Sequence, residues 1–238
     1  MFLPIGDDNT DRQRTPYVVY GLIALNAVVW LLFQQMSGDS PFTYAYSAIP
    51  FEITHNTDLV TRQVIEAGGH RIPIPHEPGP TPIQFTLLSS MFMHGSWMHI
   101  LGNMLYLWIF GDQIEDELGH VRFLVFYLIC GVAASAAHIF FDWDSVIPSL
   151  GASGAIAGVL GAYLVRHPRR GVRVLMFNVL TTVPAFIVLG GWIVLQFFGQ
   201  VGTASGQASG VAYMAHIGGF IAGVLLVFLF APRRRAAV

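Results

Sequence analysis

Two polar residues in apolar surroundings, Ser153 and His216, are of the types that carry out nucleophilic catalysis. A serine hydroxyl becomes a good nucleophile when a base takes its proton, and an imidazole within hydrogen-bond reach is the commonest such base. Each residue alone also has a structural interpretation, because a membrane serine often bonds its own helix and a membrane histidine a neighbouring helix. The residue types leave both interpretations open, and the positions of the two side chains decide between them.

A second pair of polar residues could stabilise the charge that such chemistry develops. His99 and Asn103 lie four positions apart and therefore on one face of a helix. Acyl transfer needs hydrogen-bond donors directed at the oxyanion of the tetrahedral intermediate, and these side chains could supply them beside the backbone N–H of Ser153. The alternative for Asn103 is a helix-packing amide, which in hydrocarbon must be bonded to some partner.

The elements that hold these residues are predicted to be membrane helices. Of the 238 residues, 54% are hydrophobic and 11% charged, which is unusual for a soluble domain. A helix needs roughly 20 residues to cross the ~30 Å hydrocarbon layer. Apolar stretches of about that length occur at 17–37, 89–111, 121–141, 147–165, 174–199 and 211–231. The sequence thus predicts an all-α membrane protein with six transmembrane helices.

This division predicts three parts of the chain. Residues 1–16 are a cytoplasmic N-terminal segment, 17–231 the membrane domain, and 232–238 a basic cytoplasmic tail. Within the domain, the proline-rich stretch 38–84 is predicted to be one long outer loop. The first apolar stretch follows a charged start and lacks a convincing cleavage site, so we expect it to remain as a helix.

The distribution of arginines predicts the orientation. All twelve positive residues are arginines, and cytoplasmic termini would place ten of them inside and only Arg62 and Arg71 outside. Loops that stay in the cytoplasm keep such an excess. The fourth and sixth helices then run inward from the outer face, and Ser153 and His216 are expected roughly 9 Å below that face, at 1.5 Å per residue. The net charge of -2 offers no basic field for nucleic acid.

Small residues are expected to bring the fourth and sixth helices together. They lie on the faces that carry Ser153 and His216: Gly154, Ala157, Gly158 and Gly161 on one helix, and Ala212, Gly219 and Gly223 on the other. Surfaces of small residues at four-residue spacing drive helix packing in lipid. The sequence therefore predicts that the two helices touch and that the hydroxyl meets the imidazole.

Three stretches resemble the rhomboid family of intramembrane serine proteases. They are Gly151-Ala152-Ser153-Gly154, His99-Ile100-Leu101-Gly102-Asn103 and Ala215-His216-Ile217-Gly218-Gly219. The resemblance covers roughly residues 82–231 and implies a bacterial-type, six-helix endopeptidase that cuts transmembrane segments of other membrane proteins near the outer face. It implies a dyad without an acidic third member, in which Ser153 is the nucleophile and His216 the base and then the acid.

The same resemblance implies roles for the residues around the dyad. His99, Asn103 and the Ser153 backbone form the oxyanion site, and no cofactor or metal is implied. Gly151, Gly154, Gly158 and Gly219 are structural, as is Glu115, which lies in Gly111-Asp112-Gln113-Ile114-Glu115 at the inner end of the second helix. The implied partners are transmembrane protein substrates and the lipid bilayer, and no oligomeric state follows from the pattern.

Two departures from the family pattern change what is expected of the structure. Ala157 stands where some members place an aromatic residue beneath the catalytic histidine, so support for His216 is expected from elsewhere. The first loop lacks the Trp-Arg pair of some members and contains His55, His70 and His76 instead.

Three other functions compete with a serine protease. A metalloprotease could use His94, His99 and His138, although no His-Glu-x-x-His motif is present. A non-catalytic rhomboid-like protein would bind membrane proteins, but such relatives typically lack the serine or the histidine. A transporter would show broken helices in corresponding halves. The organisation of the spans predicts a prokaryotic plasma membrane protein with both termini in the cytoplasm.

Overall fold

Helices account for most of the chain. A computed structural model of the protein describes residues 2–67, 70–204 and 211–231. The helices are α1 (Tyr17–Val28), which continues as a π-helical turn (Val29–Phe33), α2 (Pro41–Tyr46), α3 (Pro50–His55), α4 (Thr86–Ser89), α5 (Trp97–Leu118), α6 (His120–Phe141), α7 (Ser153–Arg166), α8 (Ala185–Ala204) and α9 (Tyr213–Phe230). Single 3₁₀ turns at Ile83–Phe85 and Ser90–Phe92 flank α4.

Among the described residues, three helices are long and apolar enough to cross a membrane by length and composition: His120–Phe141, Ala185–Gly202 and Tyr213–Phe230. Shorter apolar helices occupy Tyr17–Phe33, Ile83–Phe92 and Ser153–Arg166. Helix α5 has 22 residues and is as long as α6, but the last turns of α5 carry Asp112, Glu115, Asp116 and Glu117. The protein is therefore a helical membrane protein, in which apolar helices of different lengths surround a short central one.

The described residues include two small antiparallel sheets, whereas the sequence predicted an all-helical chain. Their strands are β1 (Phe2–Asp7), β2 (Gln63–Ala67), β3 (His70–Ile74), β4 (Gly171–Met176) and β5 (Val179–Pro184). One sheet has the order β1-β4-β5, and the other is the β2-β3 hairpin within the predicted outer loop. The N-terminal segment is thus paired with a strand that follows α7, and the predicted tail 232–238 lies outside the described residues.

The β4-β5 hairpin corrects the predicted helix at 174–199. Phe177 and Asn178 have φ values of 48° and 64°, which gives the two-residue turn that matches the twist of antiparallel strands. Val172 and Val174 are buried while Arg173 between them is exposed, so this stretch follows the period of a strand. The apolar run was long enough for a helix, but its β-branched residues form a hairpin, and α8 begins only after Pro184.

The predicted start of the fourth helix at 147 is also wrong. Residues 147–152 are not helical: Ser149 exchanges both backbone hydrogen bonds with Ala48 at 2.8 and 2.9 Å, and Ala152 forms a turn immediately before α7. Gly151 has a φ of +126°, and its N–H donates to the Ser90 carbonyl at 2.9 Å. Ser153 is consequently the first residue of α7 and does not lie six residues into a helix, so its depth does not follow from a count of helical residues.

The centre of the fold is α7, which packs against α5, α6 and α9. All residues from Gly154 to Tyr163 are buried. In contrast, α8 packs mainly against α9 and exposes a row of large apolar side chains that includes Phe186, Val194, Leu195, Phe197 and Phe198. The two predicted site residues therefore lie on neighbouring helices of the best-packed part of the molecule.

Candidate active site

The side chains of Ser153 and His216 meet. Ser153 Oγ lies 2.7 Å from His216 Nε2, which is the distance of a good hydrogen bond. Ser153 begins α7 and His216 lies in the first turn of α9. Two residues separated by 63 positions in sequence are thus held in direct contact at the N-terminal ends of two adjacent helices.

Glycines allow the backbones of α7 and α9 to approach this closely. A Cβ atom added at Gly219 would collide with the carbonyl of Gly154, and one added at Gly223 with the carbonyl of Gly158. Gly154 and Gly158 in turn face α6, where added Cβ atoms would lie 2.6 Å from Ala134 Cβ and 2.5 Å from Cys130 Cβ. The predicted seam of small residues therefore exists, and it joins three helices.

Two residues of α8, absent from the sequence prediction, complete the surroundings of His216. Gln196 Oε1 lies 2.7 Å from His216 Nδ1, and the Trp192 ring lies 5.7 Å from the imidazole, centroid to centroid. These side chains provide the support that Ala157 does not. The sequence did contain a signal for Gln196, which is an amide within an apolar helix, four residues after an aromatic residue. Polar side chains in such helices are usually functional.

His99 and Asn103 line the same cavity as the dyad, which has a volume of about 910 Å³. The Gly95 N–H donates to His99 Nδ1 at 3.3 Å, so a neutral His99 carries its proton on Nε2. That nitrogen lies beside Gly151, where an added Cβ would be 2.8 Å from it and 3.5 Å from Ser153 Oγ. Gly151 therefore keeps His99 and Ser153 close together.

Asn103 offers a free donor in this cavity. Its side chain is buried, and its Nδ2 has no hydrogen-bond partner among the described residues. In the described part of the chain, no side chain caps the N-terminus of α7 either, which leaves first-turn N–H groups and a partial positive charge at Ser153. The cavity thus combines a hydroxyl, an imidazole and several donors.

His94 occupies a supporting position beneath His99. Its ring is fully buried and meets the His99 ring edge-on at 5.1 Å. Gln34 fixes the backbone of His94 with two hydrogen bonds, accepting from the N–H at 2.9 Å and donating to the carbonyl at 2.8 Å. No sequence pattern pointed to Gln34, which ties the end of the first long helix to the segment that leads into α5.

The three histidines of the metalloprotease interpretation are not assembled as a metal site. His138 lies on α6 and contacts Asp142 at 3.5 Å, whereas His94 and His99 contact each other. Among residues 2–67, 70–204 and 211–231, no group of three or more His, Cys, Asp or Glu side chains could hold a metal ion.

Glu115 lies far from the cavity, at the opposite end of α5. Its buried carboxylate accepts hydrogen bonds from the N–H groups of Val18 and Val19 at 2.9 and 2.8 Å, and His120 Nδ1 lies 2.6 Å away. These contacts cap the start of α1. In the predicted outer loop, His76 Nε2 lies 2.8 Å from the Val146 carbonyl, which ties that loop to the segment between α6 and α7.

Comparison with known proteins adds a family to this geometry. The model of a family described as Rhomboid domain matches residues 83–233. RHOMBOID-like protein 1 of Arabidopsis thaliana is 34% identical over 147 residues, which cover 62% of this chain and 34% of that protein. RHOMBOID-like protein 5 of the same plant is 31% identical over 150 residues, covering 63% of this chain and 45% of the relative.

A fungal protein shows a similar likeness. Rhomboid protein 1, mitochondrial, of Saccharomyces cerevisiae is 31% identical over 153 residues, which cover 60% of this chain and 40% of that protein. The matched region therefore spans less than half of the length of each of these three relatives, all of which come from eukaryotes.

Proposed function

The chain belongs to the rhomboid family, and from this premise we propose that it is an intramembrane serine endopeptidase that cleaves transmembrane segments of other membrane proteins. The observation that carries the proposal is the 2.7 Å contact between Ser153 Oγ and His216 Nε2. The contact lies in a cavity that His99 and Asn103 also line. The likeness to rhomboid proteins supports a protease-like role within the membrane.

In the proposed acylation step, Ser153 Oγ attacks the carbonyl carbon of the scissile peptide while His216 Nε2 takes the hydroxyl proton. The resulting tetrahedral intermediate carries a negative charge on the former carbonyl oxygen. Its C–N bond then breaks, the leaving nitrogen takes the proton from His216, and an ester to Ser153 remains. His216 therefore acts first as base and then as acid.

Donors around Ser153 would stabilise the oxyanion. The candidates are Asn103 Nδ2, His99 Nε2–H and the backbone N–H groups at the start of α7, where the helix dipole adds a partial positive charge. All three are supplied by residues that line the cavity. The Gly95 N–H holds the His99 ring at 3.3 Å and the N–H groups of α7 are fixed by the helix, so these donors need little reorganisation when the charge develops.

Hydrolysis of the ester needs water, which the cavity can admit because its wall includes the polar loop residues Ser145 and Ser149. Water attacks the ester carbonyl, gives its proton to His216, and Ser153 leaves with that proton. A peptide bond within a regular helix is shielded by the helix, so the proposed substrates have segments that unwind easily, at Gly or Pro for example.

The wider topology belongs to the same proposal: six transmembrane helices, cleavage near the outer face, both termini in the cytoplasm, and a prokaryotic plasma membrane. The ten-to-two distribution of arginines supports the orientation within this proposal. In a variant whose buried Cys130 is replaced by alanine, Asp58→Cys should react with an impermeant maleimide in intact cells. Asp8→Cys should react only after permeabilisation, and the reverse result would invert the orientation.

The decisive experiment labels purified protein in detergent with a fluorophosphonate and locates the modified residue by mass spectrometry. We expect modification of Ser153, and loss of both labelling and cleavage of a model transmembrane substrate in Ser153→Ala and His216→Ala. Ser135→Ala is the matched control, because Ser135 lies on α6 and outside the cavity wall. Cleavage that persists in Ser153→Ala would refute the dyad, and sensitivity to chelators would favour the metalloprotease.

A protein that folds and binds transmembrane segments without cleaving them would instead support the non-catalytic alternative. Binding can be measured separately from cleavage with the same labelled substrate. Binding by the wild type without turnover, and without fluorophosphonate labelling, is therefore the result that distinguishes this alternative from the proposed enzyme.

A further inference from the structure

We propose that Gln196 is a positioning residue, which holds His216 in the tautomer that a general base requires. It would occupy the place that a carboxylate holds in a Ser-His-Asp triad. The inference rests on the proposed function, since it assigns a role to a side chain behind the proposed base. Of the two dyad residues, Gln196 contacts only His216. The contact is on the side of the imidazole opposite Ser153.

The two contacts of the Gln196 amide settle its orientation. One end of the amide lies 3.3 Å from the Trp192 carbonyl, four residues earlier in α8, and the other end lies 2.7 Å from His216 Nδ1. A carbonyl oxygen can only accept a hydrogen bond, so the NH₂ group must face Trp192. Gln196 Oε1 is then the atom that faces the imidazole.

This orientation fixes the proton on the imidazole. Gln196 Oε1 can only accept, so His216 Nδ1 must carry the proton and donate it. The Nε2 lone pair of the neutral ring is thereby directed at Ser153 Oγ, 2.7 Å away. The opposite tautomer would place two acceptors against each other at 2.7 Å on the Gln196 side, and it would leave no base for the hydroxyl proton.

An amide suits this position better than a carboxylate would. A carboxylate oxygen would face the Trp192 carbonyl without a proton between them, and its charge would lie within an apolar helix. The neutral amide satisfies both neighbours, and the Trp192 ring beside the imidazole restricts the rotation of His216. The base is thus oriented without burying a charge.

Because the three residues lie on three helices, the orientation of the base depends on how the helices pack. Ser153 is on α7, His216 on α9 and Gln196 on α8. The contact between His216 and Gln196 joins α8 to the site, so any movement that separates α8 from α9 also releases Nδ1 and with it the tautomer.

The test compares two substitutions at Gln196 with a lipid-facing control on the same helix. Gln196→Met keeps the length of the side chain and removes the acceptor, whereas Gln196→Glu keeps an acceptor oxygen. Leu195→Met is the control, because the Leu195 side chain is 67% exposed on the outside of α8. Each variant is assayed for kcat, KM and the pH profile of kcat/KM with a model transmembrane substrate.

We expect Gln196→Met to lower kcat roughly 10- to 100-fold, less than the 10²–10⁴ that a general base contributes, with KM within about two-fold of wild type. Gln196→Glu should retain more of kcat and move the acid limb of the pH profile upward, because a carboxylate stabilises the protonated imidazole. His99, His138 and Asp142 line the same cavity and are unchanged in all three proteins, so the shift reports on position 196.

A spectroscopic measurement tests the tautomer without relying on activity. Nitrogen NMR of ¹⁵N-histidine-labelled wild type, with His216 assigned by its loss in His216→Ala, should show a protonated Nδ1 and an unprotonated Nε2. The reversed pattern in the wild type would overturn the inference even if Gln196→Met fails to fold.

The outcomes separate this inference from the proposed function. Wild-type kcat and pH profile in Gln196→Met, with Ser153→Ala inactive, would refute the role of Gln196 and leave the protease intact. A wild-type protein that neither cleaves nor reacts with fluorophosphonate would refute the protease itself, and the positioning role with it.

Discussion

Gly158→Ala should weaken both the fold and the proposed catalytic contact. The added Cβ would lie 2.5 Å from Cys130 Cβ and 2.6 Å from its Sγ, with the Gly219 carbonyl at 3.2 Å on the other side. An ordinary contact between carbon atoms is about 3.5 Å or more, so α6 and α7 must separate by about 1 Å. The Gly219 carbonyl prevents α7 from moving towards α9 instead.

The magnitude follows from two opposing terms. Overpacking a well-packed core costs typically about 1–3 kcal/mol, while replacing glycine by alanine within a helix gains up to about 1 kcal/mol. We therefore expect a net loss of about 1–2 kcal/mol. Because α6 also packs against α9, moving α6 away from α7 would shift α9 relative to α7 and disturb the 2.7 Å contact between Ser153 Oγ and His216 Nε2, so cleavage should fall further than stability alone explains.

The assay pairs thermal unfolding in detergent with cleavage at a temperature where all variants are folded. Gly191→Ala is the matched control, because an added Cβ there meets nothing within 4 Å, and it should be neutral or stabilising. Cys130→Gly removes both colliding atoms, so combining it with Gly158→Ala should restore part of the activity lost by Gly158→Ala alone. Wild-type stability and activity in Gly158→Ala would refute the packing described for α6, α7 and α9.

Two further predictions concern the proposed oxyanion site and the predicted outer loop. Asn103→Ala should lower kcat by about 10- to 1000-fold with little change in KM, since its free amide donor would act mainly on the transition state; an unchanged kcat would assign Asn103 to packing. Burial raises the pKa of Glu52 from its ordinary value of 4.5 to about 7, although the Leu59 N–H donates to its carboxylate at 2.9 Å. The folded chain therefore binds this proton more tightly than the unfolded chain, so the contribution of Glu52 to stability is complete below pH 4.5 and is lost as the pH rises to about 7. Glu52→Gln should flatten the melting temperature across this window, and an unchanged pH dependence would contradict the assignment.

The site was more predictable than the boundaries of the helices. Ser153 and His216 are polar residues among glycines and alanines, and small residues at four-residue spacing indicate which helix faces meet. The contact between them therefore followed from local pattern. The depth of the site did not follow from local pattern, because the prediction took the apolar run from 147 as helical. Gly151 has a positive φ, and α7 starts only at Ser153.

Hydropathy identified apolar segments without deciding their conformation. Residues 174–184 are as apolar as a helix requires, but Phe177 and Asn178 form a tight turn between β4 and β5, and β4 pairs with β1 on its other side. That pairing involves residues more than 160 positions apart, such as Leu3 with Leu175, so no local pattern reveals it. Gln196 was missed for a related reason, since its partner depends on how α8 rotates against α9.

The shortness of α7 explains how a polar site can exist in this fold. Its 14 residues span about 21 Å at 1.5 Å per residue, less than the ~30 Å of a hydrocarbon layer, whereas the 22 residues of its neighbour α6 span about 33 Å. A short helix among longer ones ends inside the bundle, and the cavity lies at that end, with Ser153 in its wall and extended residues such as Ser149 above it. The same helix end supplies uncapped N–H groups that a residue in mid-helix would have bonded to its own helix. Placing Ser153, the proposed nucleophile, at the first residue of a short, tightly packed helix therefore combines an open cavity, uncapped N–H donors and a rigid position in one structural feature.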